Sequence, residues 1–348
     1  MKVYKIEIFT PELQYRSSCQ IRKVEYSYDY LDIEKNKILI PEIIAEKYDY
    51  IRIKRGTEEY CGIISDVIVK KGKYEITYKP FERLWDIDIY MNPDDVEGYT
   101  IENILRKYIS AVYENNADAL ENIVGLSIQI TSATNGKLFF EQGINNLYEM
   151  VIGAFTSYGV ACSFSINPQK KRIQLHIGKC MKKAFVIEAD RANVIEKEIV
   201  IKESDESVNK LIVYNQEDYE QSATFYKNTA GEVTLENGKR IIPVVTKSVT
   251  VKVPNEKTFD EVALTKAQQV LKPLQYDNLI EIKILKNDLL VRPTERVIGQ
   301  EATILSNGVA YSTILTGIVM DEYCTLVFGA IRLELTKIIK RRWRNEQH

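Results

Sequence analysis

Short alternating segments follow one another along residues 49–87, "DYIRIKRGTEEYCGIISDVIVKKGKYEITYKPFERLWDI". Apolar and polar side chains alternate within each segment, and short turns separate the segments, which is typical of β-strands with one buried face. Lys71-Gly72-Lys73 lies between two of them and predicts a tight hairpin. The stretch contains no obvious catalytic side chain.

The same alternation begins near the N-terminus, in "KVYKIEIFT", and continues to about residue 92. Five or six short strands within roughly 90 residues are typical of a small barrel or sandwich. We therefore expect residues 1–92 to form a first β-barrel domain.

The periodicity becomes helical after residue 97. Thr100 is expected to cap a first helix, and a second helix is predicted over about 144–158 with Gly159 as its C-cap. Strand patterns lie between and after the two helices. Residues 97–190 are therefore expected to form a small α/β insert domain.

Residues 194–228 and 280–335 alternate again and predict a second β-barrel domain. Residues 229–279 interrupt it, and they predict a hairpin followed by a helix whose capping box begins at Thr258. Residues 336–348 are expected to form a basic C-terminal tail. The predicted fold class is mixed β, with two β-barrel domains, an α/β insert and a helical excursion.

Two hairpin patterns suggest an internal repeat. They are "CGIISDVIVKKGKYEITY" at 61–78 and "TGIVMDEYCTLVFG" at 316–329. In both, Gly-Ile opens an apolar strand, and the second strand ends at an aromatic residue.

Reactive side chains are scarce. His176 lies in a strand pattern and His348 is the last residue, so no serine-protease-like triad is evident. Clusters of carboxylates occur at Asp94-Asp95, Glu203-Ser204-Asp205-Glu206 and Asp321-Glu322, in predicted loops or strand ends, where solvated surface is the ordinary interpretation. The sequence also lacks a phosphate-binding glycine loop and a zinc motif. We expect no catalytic residue, no cofactor and no metal.

The composition restricts the class of protein further. Lys plus Arg (47) nearly balance Asp plus Glu (49), so the chain has no overall basic field for nucleic acid. The five cysteines include no CxxC pair, which favours synthesis in a reducing cytosol. The N-terminus lacks the order of a signal peptide, and no apolar run approaches the roughly 20 residues of a membrane span.

Aromatic and arginine residues at the ends of predicted elements are candidates for contacts with other proteins, because both residue types anchor interfaces. The first group closes the first β region and could pack against the insert or against a neighbour; the second belongs to the end of the chain. The candidates are Phe81, Trp85 and Tyr90, and then Phe328, Arg341, Arg342 and Trp343.

The order of these patterns resembles a known family. The stretches that carry the resemblance are "RIKRGTEEYCGIISDVIVKKGKYEITYKPFERLWDIDIYM", "TIENILRKYI", "NNLYEMVIGAFTSYGVACSFSINPQKKRIQLHIG", "ESVNKLIVYNQ" and "ILTGIVMDEYCTLVFGAIRLELTKIIK". Together they are similar to the baseplate hub, or tail-associated proximal protein, of phage tails and phage-derived contractile particles. This family is typified by the phage T4 hub and the Gp37-like tail proteins of siphophages.

The resemblance implies a homotrimer in which each subunit contributes two tail-tube-like barrels. Three subunits would then form a pseudo-sixfold ring that adapts a hexameric tail tube to a trimeric spike. The implied partners are the tail tube or distal tail protein ring, the spike or needle protein and the tape-measure protein. In a phage, DNA would pass through the channel without specific binding, and no membrane would be involved. The protein would be made in the bacterial cytoplasm and assembled into the tail baseplate.

The sequence departs from many siphophage relatives, because it stops after "RRWRNEQH" without a fibre or hydrolase region. The resemblance then implies a separate spike or lysin, and it favours a contractile system such as a myophage tail or a phage-tail-like bacteriocin. Two other functions stay open. A baseplate carbohydrate-binding module would need a concave site lined by Tyr and Trp, and a peptidoglycan-cleaving enzyme would need two buried carboxylates or a zinc site.

Overall fold

The structure is a computed structural model. It describes residues 3–22, 26–31, 36–55, 58–70, 72–134, 138, 140, 142–201, 208–229, 232–235, 244–253, 257–271, 276 and 278–330.

The described residues form a mostly β structure with three α-helices. The strands, β1 to β22 in chain order, are Tyr4–Phe9, Tyr15–Ile21, Tyr26–Asp29, Asn36–Ile40, Tyr50–Arg55, Glu58–Lys70, Lys73–Pro80, Asp88–Met91, Leu126–Ile130, Gly143–Asn146, Val160–Asn167, Arg172–Lys179, Phe185–Glu188, Val194–Ile201, Lys210–Asn215, Ser222–Lys227, Val233–Thr234, Thr246–Val251, Asn278–Ile284, Glu301–Ser306, Val309–Met320 and Cys324–Phe328. The helices α1, α2 and α3 are Ile101–Tyr113, Leu147–Tyr158 and Phe259–Val270.

The first sheet has the order β2-β1-β5-β6-β7-β4, with every neighbouring pair antiparallel. The predicted hairpin between β6 and β7 is confirmed, because Lys70 pairs with Lys73. Gly72 in the turn has φ +71°, a conformation that glycine adopts without steric cost. The inward face of β1 and β5, including Ile6, Ile51 and Ile53, is buried.

The second sheet has the order β13-β20-β21-β22-β19-β14. Asn307 and Gly308 both have positive φ angles, and they connect β20 to β21 where Ser306 pairs with Val309. Asn-Gly is the dipeptide that two-residue hairpin turns of this kind prefer. The two large sheets are curled, and their inward side chains belong to one continuous apolar cluster.

The sequence predicts that the first and second β regions are separate, but strand β3 of the first region lies in the second sheet. It pairs with β21 of the second sheet, in the register Asp29 to Gly317, although residues 1–92 were expected to form one domain. A Cβ atom at position 317 would lie 3.3 Å from the Tyr28 carbonyl oxygen and 3.2 Å from the Val327 Cβ. Glycine at this position therefore lets β3 and β22 approach β21 closely.

A second correction concerns residues 194–228, which were expected to belong entirely to the second β-barrel. Strands β15 and β16 instead join β17 and β18 in a separate four-stranded sheet, in the order β17-β16-β15-β18. Leu211 and Phe225 on its inner face pack with Phe259 and Ala263 of α3. The alternation identified the buried face of these strands, but the covering layer is the helix rather than the second sheet.

The insert contains α1, α2 and the sheet β11-β12-β9. Both predicted caps are confirmed: the Thr100 side chain accepts a hydrogen bond from the Asn103 amide, and Gly159 ends α2 with φ +69°. Strand β8 pairs with β10 in a two-stranded ribbon beside the insert core. This corrects the assignment of residues 88–91 to the first β domain.

The internal repeat is visible in the two large sheets. Hairpin β6–β7 occupies the same place in the first sheet as hairpin β21–β22 in the second, since β5 and β20 flank one side and β4 and β19 the other. Strands β6 and β21 each contain a register irregularity close to a glycine, Gly62 and Gly317 respectively. The two sheets therefore share a four-strand unit with one long, bent strand.

The capping box of α3 supplies a first prediction. The Thr258 hydroxyl accepts from the Glu261 amide, and the Glu261 carboxylate accepts from the Thr258 amide. Changing Thr258 to alanine should lower the free energy of unfolding by about 1 kcal/mol, measured by urea titration. Thr258→Ser keeps the hydroxyl and should cost much less; equal losses in the two variants would contradict a capping role.

Candidate assembly surface

The structure divides the predicted interface residues into two groups. The side chains of Phe81, Trp85 and Phe328 are buried within the chain, whereas Tyr90 is 59% exposed. Arg341, Arg342 and Trp343 lie outside the described residues. Of the four described candidates, only Tyr90 exposes its ring to solvent.

Phe81 and Trp85 join the first sheet to the insert. They lie on a 3-10 helix that directly follows β7. The Trp85 ring stacks on Phe164 of β11 at 5.2 Å between ring centroids and meets Tyr113 of α1 edge-on at 5.8 Å. Phe81 contacts the same Phe164 ring at 5.1 Å and Tyr50 of β5 at 5.0 Å. These aromatic pairs fix the insert on the sheet.

Phe328, in contrast, belongs to the second sheet. It lies at the end of β22, opposite Ile280 of β19 and Leu315 of β21. Its ring is fully buried and lies 6.1 Å from the Phe185 ring of β13. It is a core residue of this sheet.

The β8–β10 ribbon presents an exposed apolar pair. Tyr90 lies directly opposite Ile144, which is 72% exposed. Successive residues of a strand point to opposite faces, and on the other face Met91 is fully buried in the insert core. The ribbon therefore packs one face on the insert and shows Tyr90 and Ile144 to solvent.

Carboxylates border this outer face. Asp88 lies two residues before Tyr90 and is exposed, as is Asp86. The Asn146 side chain donates to Asp88 at 3.0 Å and to Asp86 at 3.5 Å, and it also accepts from the Glu149 amide at the start of α2. We call the outer face formed by Asp86, Asp88, Tyr90 and Ile144 the ribbon face. It combines an apolar centre with an acidic border.

The reactive groups considered in the sequence show no catalytic arrangement among the described residues. His176 lies in the central strand of the insert sheet, opposite Ser163 and Gln129. Asp94 and Asp95 lie near Lys257 and Lys107 at 3.9 and 4.0 Å. In the described part of the chain, no group of three His, Cys, Asp or Glu side chains is arranged so that it could hold a metal. No helix in that part is both long and apolar enough for a membrane span.

Glu82 is a buried acid that the sequence reasoning missed. It follows Phe81 on the 3-10 helix and accepts a hydrogen bond from the Tyr28 hydroxyl at 2.6 Å. Burial raises the pKa of its carboxyl to about 7, although the hydrogen bond from Tyr28 lowers it. Its position between two buried aromatic residues of "PFERLW" was the available signal. Glu82 links the first sheet to β3, which belongs to the second sheet.

The four-stranded sheet has one face that α3 does not cover. The inward side chains, Leu211, Val213 and Phe225, alternate with outward ones that are mostly hydroxylic or aromatic. Among these outward residues are Ile212, Tyr214, Thr224, Tyr226, Ser248 and Thr250. The Lys210 ammonium group lies 5.8 Å from the centre of the Tyr226 ring.

No protein-family model matches the sequence, and no curated protein matches it. Solved structures do resemble the fold. A chain of the phage P2 baseplate in its activated conformation matches with 11% identity and a TM-score of 0.51, over 95% of this chain and 100% of that one. The 43 kDa tail protein of prophage MuSo2 from Shewanella oneidensis matches with 11% identity and a TM-score of 0.51, over 93% and 96% of the two chains.

The prophage tail protein gp18 from Listeria monocytogenes EGD-e is similar over 99% of this chain and 100% of its own, with 11% identity and a TM-score of 0.51. At these identities the structural similarity establishes a common fold but does not establish a common function. Because the matches extend over nearly the whole of each chain, the protein has the fold of phage baseplate and tail proteins.

Proposed function

We propose that the protein is the structural hub of a phage or phage-like tail baseplate. Three copies would form a pseudo-sixfold ring that adapts the hexameric tail tube to a trimeric spike. The observation that carries this proposal is the match to phage P2 baseplate and prophage tail chains along nearly their full lengths. A structural role of this kind requires no catalytic residue.

The internal repeat supports the proposed ring. Each chain contains two similar four-strand units, β5-β6-β7-β4 and β20-β21-β22-β19. Three chains would therefore present six similar surfaces. We propose that these two units act as the tail-tube-like barrels. The domain limits predicted from the sequence remain part of the proposal, with β3, β8 and the four-stranded sheet reassigned as described above.

The open edges of the sheets suggest where copies or partners meet. Strands β2 and β4 border the first sheet, and β14 borders the second. Edge strands offer unpaired backbone donors and acceptors, which assemblies use for pairing. We propose the tail tube or distal tail ring, the spike and the tape-measure protein as partners, with DNA passing through the ring without specific binding in a phage. A contractile tail or a phage-tail-like bacteriocin is the proposed setting.

Light scattering of the purified full chain across a concentration series tests this proposal. The expected mass is three times the 40.2 kDa of the chain, and images of the particle should show a central hole. A monomer at all concentrations, which also fails to assemble when tube and spike proteins are added, would overturn the hub assignment.

The uncovered face of the four-stranded sheet favours a second candidate, a baseplate module that binds carbohydrate of the host surface. Tyrosine rings stack on sugars, and Ser and Thr hydroxyls exchange hydrogen bonds with them. Trp85 does not contribute, because it is buried. A glycan array with the full chain and a Tyr214→Ala/Tyr226→Ala variant tests this candidate: binding that the substitutions abolish would support it, and the absence of any glycan binding would contradict it.

A further inference from the structure

The outer side of the β8–β10 ribbon is an apolar centre with an acidic border. Tyr90 and Ile144 expose 59% and 72% of their surface, and a pair of large apolar side chains this exposed suits a docked partner. Asp86 and Asp88 lie beside the pair and accept hydrogen bonds from the side chain of Asn146, which is opposite Asp88 in the ribbon. A segment that suits this ribbon face must therefore combine an aromatic anchor with positive charges.

The C-terminal segment 331–348 has that composition. Trp343 is surrounded in sequence by five cationic residues, Lys337, Lys340, Arg341, Arg342 and Arg344. An arginine can bind a carboxylate through two parallel hydrogen bonds and can also lie on a tyrosine ring. A tryptophan supplies the large apolar contact typical of interface anchors.

We propose that the C-terminal segment of one copy binds the ribbon face of a neighbouring copy in the ring. Trp343 would pack on Tyr90 and Ile144, while Arg341 and Arg342 would pair with Asp86 and Asp88. This inference rests on the proposed function, since it needs a neighbouring copy. It assigns a partner to the one exposed aromatic residue among the described interface candidates.

The segment starts from a defined point. The Ala330 amide donates to the Tyr276 carbonyl oxygen at 2.9 Å, and Ala330 packs against the insert core. The residues between Ala330 and Arg341 can span about 35 Å when extended. A compact chain of 348 residues has a radius of gyration of about 20 Å, so the extended segment is longer than this radius and can extend beyond its own chain to an adjacent copy.

The two complementary surfaces also determine how copies would join. The ribbon face and the basic segment are different parts of the same chain, so a contact between them is heterologous and joins copies head to tail. Heterologous contacts close into rings when the rotation between copies permits it. The docking we propose is thus compatible with a trimeric ring and would strengthen it.

Hydroxyl-radical footprinting of the full chain tests the docking, at a concentration where light scattering gives the trimer mass. In a Trp343→Ala/Arg341→Glu/Arg342→Glu variant, modification of Tyr90 should rise by about threefold or more, because a covering anchor has been removed. Tyr219, which is 64% exposed and lies outside the insert, serves as the internal control and should not change. In the parent chain, raising the salt from about 0.1 M to about 1 M should also raise Tyr90 modification.

The reciprocal experiment observes the segment. Tyr90→Ala should increase quenching of Trp343 fluorescence by acrylamide, whereas Tyr219→Ala should leave it unchanged, and buried Trp85 adds the same background to both.

Two outcomes separate this inference from the proposed function. A trimer whose Tyr90 is modified equally in the parent and the tail variant would overturn the docking and leave the hub assignment intact. A monomer at all concentrations that also fails to assemble with tube and spike proteins would overturn both. A monomer in which Tyr90 is protected at every dilution would overturn the docking between copies, because the segment would then bind its own chain.

Discussion

Replacing Trp85 with alanine is expected to lower the free energy of unfolding by about 3–5 kcal/mol. The indole is only 1% exposed and lies between Phe164 and Tyr113, at the contact between the first sheet and the insert. Its removal would leave a cavity that these rigid rings cannot fill. Urea unfolding followed by far-ultraviolet circular dichroism measures the change.

Trp85→Phe is the matched control. The indole Nε1 is buried and has no hydrogen-bond partner among the described residues. Phenylalanine would therefore keep an aromatic ring in the stack and remove a polar group that gains nothing there, so the loss should stay below about 1.5 kcal/mol. A loss below about 1 kcal/mol for the alanine variant would contradict the view that these aromatic pairs hold the insert on the first sheet.

The stability of the chain should fall as the pH rises from about 4.5 to about 7, because of Glu82. Burial raises the pKa of this carboxyl from 4.5 in the unfolded chain to about 7 in the folded chain. Between these values the unfolded chain has released the proton and the folded chain has kept it, so deprotonation favours unfolding. At 1.36 kcal/mol per pKa unit, the contribution lost is about 3 kcal/mol, and it stays lost above pH 7.

The comparison that isolates this effect is Glu82→Gln against Glu149→Gln, an exposed residue. Urea unfolding at several pH values should show that the Glu82 variant lacks the decline between pH 4.5 and 7, whereas the Glu149 variant retains it. The ionisable groups that the structure places near Glu82 are Tyr28, Tyr30, Tyr60 and Cys162, and burial raises the pKa of each. They stay neutral in this range, so a pH profile shared by parent and Glu82 variant would refute the assignment.

Local chemistry made the turns and helix ends predictable. Asn307-Gly308 specified a hairpin through its backbone preferences, and Thr100, Gly159 and Thr258 specified helix ends, because these effects act within a few residues. The structure agrees at each of these positions.

Pairing between distant strands was not predictable in the same way. Alternation shows which side of a strand is buried, but it does not identify the neighbour. The sequence therefore gave no indication that β3 pairs with β21, or that α3 covers β15 and β16.

The candidate surface was predictable in part. Residue type identified Tyr90 together with Phe81, Trp85 and Phe328, but the same aromatic character suits both cores and interfaces. Only their placement distinguished the exposed ring from the three buried ones. The aromatic residues on either side of Glu82 in sequence were only a weak signal, because its burial also depends on Tyr28 of β3 and Tyr60 of β6, which are distant in sequence.

The pairing of β3 with β21 has a consequence for the order of events during synthesis. Residues 26–29 leave the ribosome well before their partners at 317–320, because almost 300 residues separate the two strands. Translation at about 5–20 residues per second would leave β3 waiting for many seconds with its backbone groups unpaired. The first sheet can form during this interval, but the second sheet cannot be completed until residues 317–320 have emerged. The nascent protein would consequently need protection from aggregation at β3, and a ribosome-stalled chain that lacks residues 317–320 should bind chaperones more strongly than the finished one.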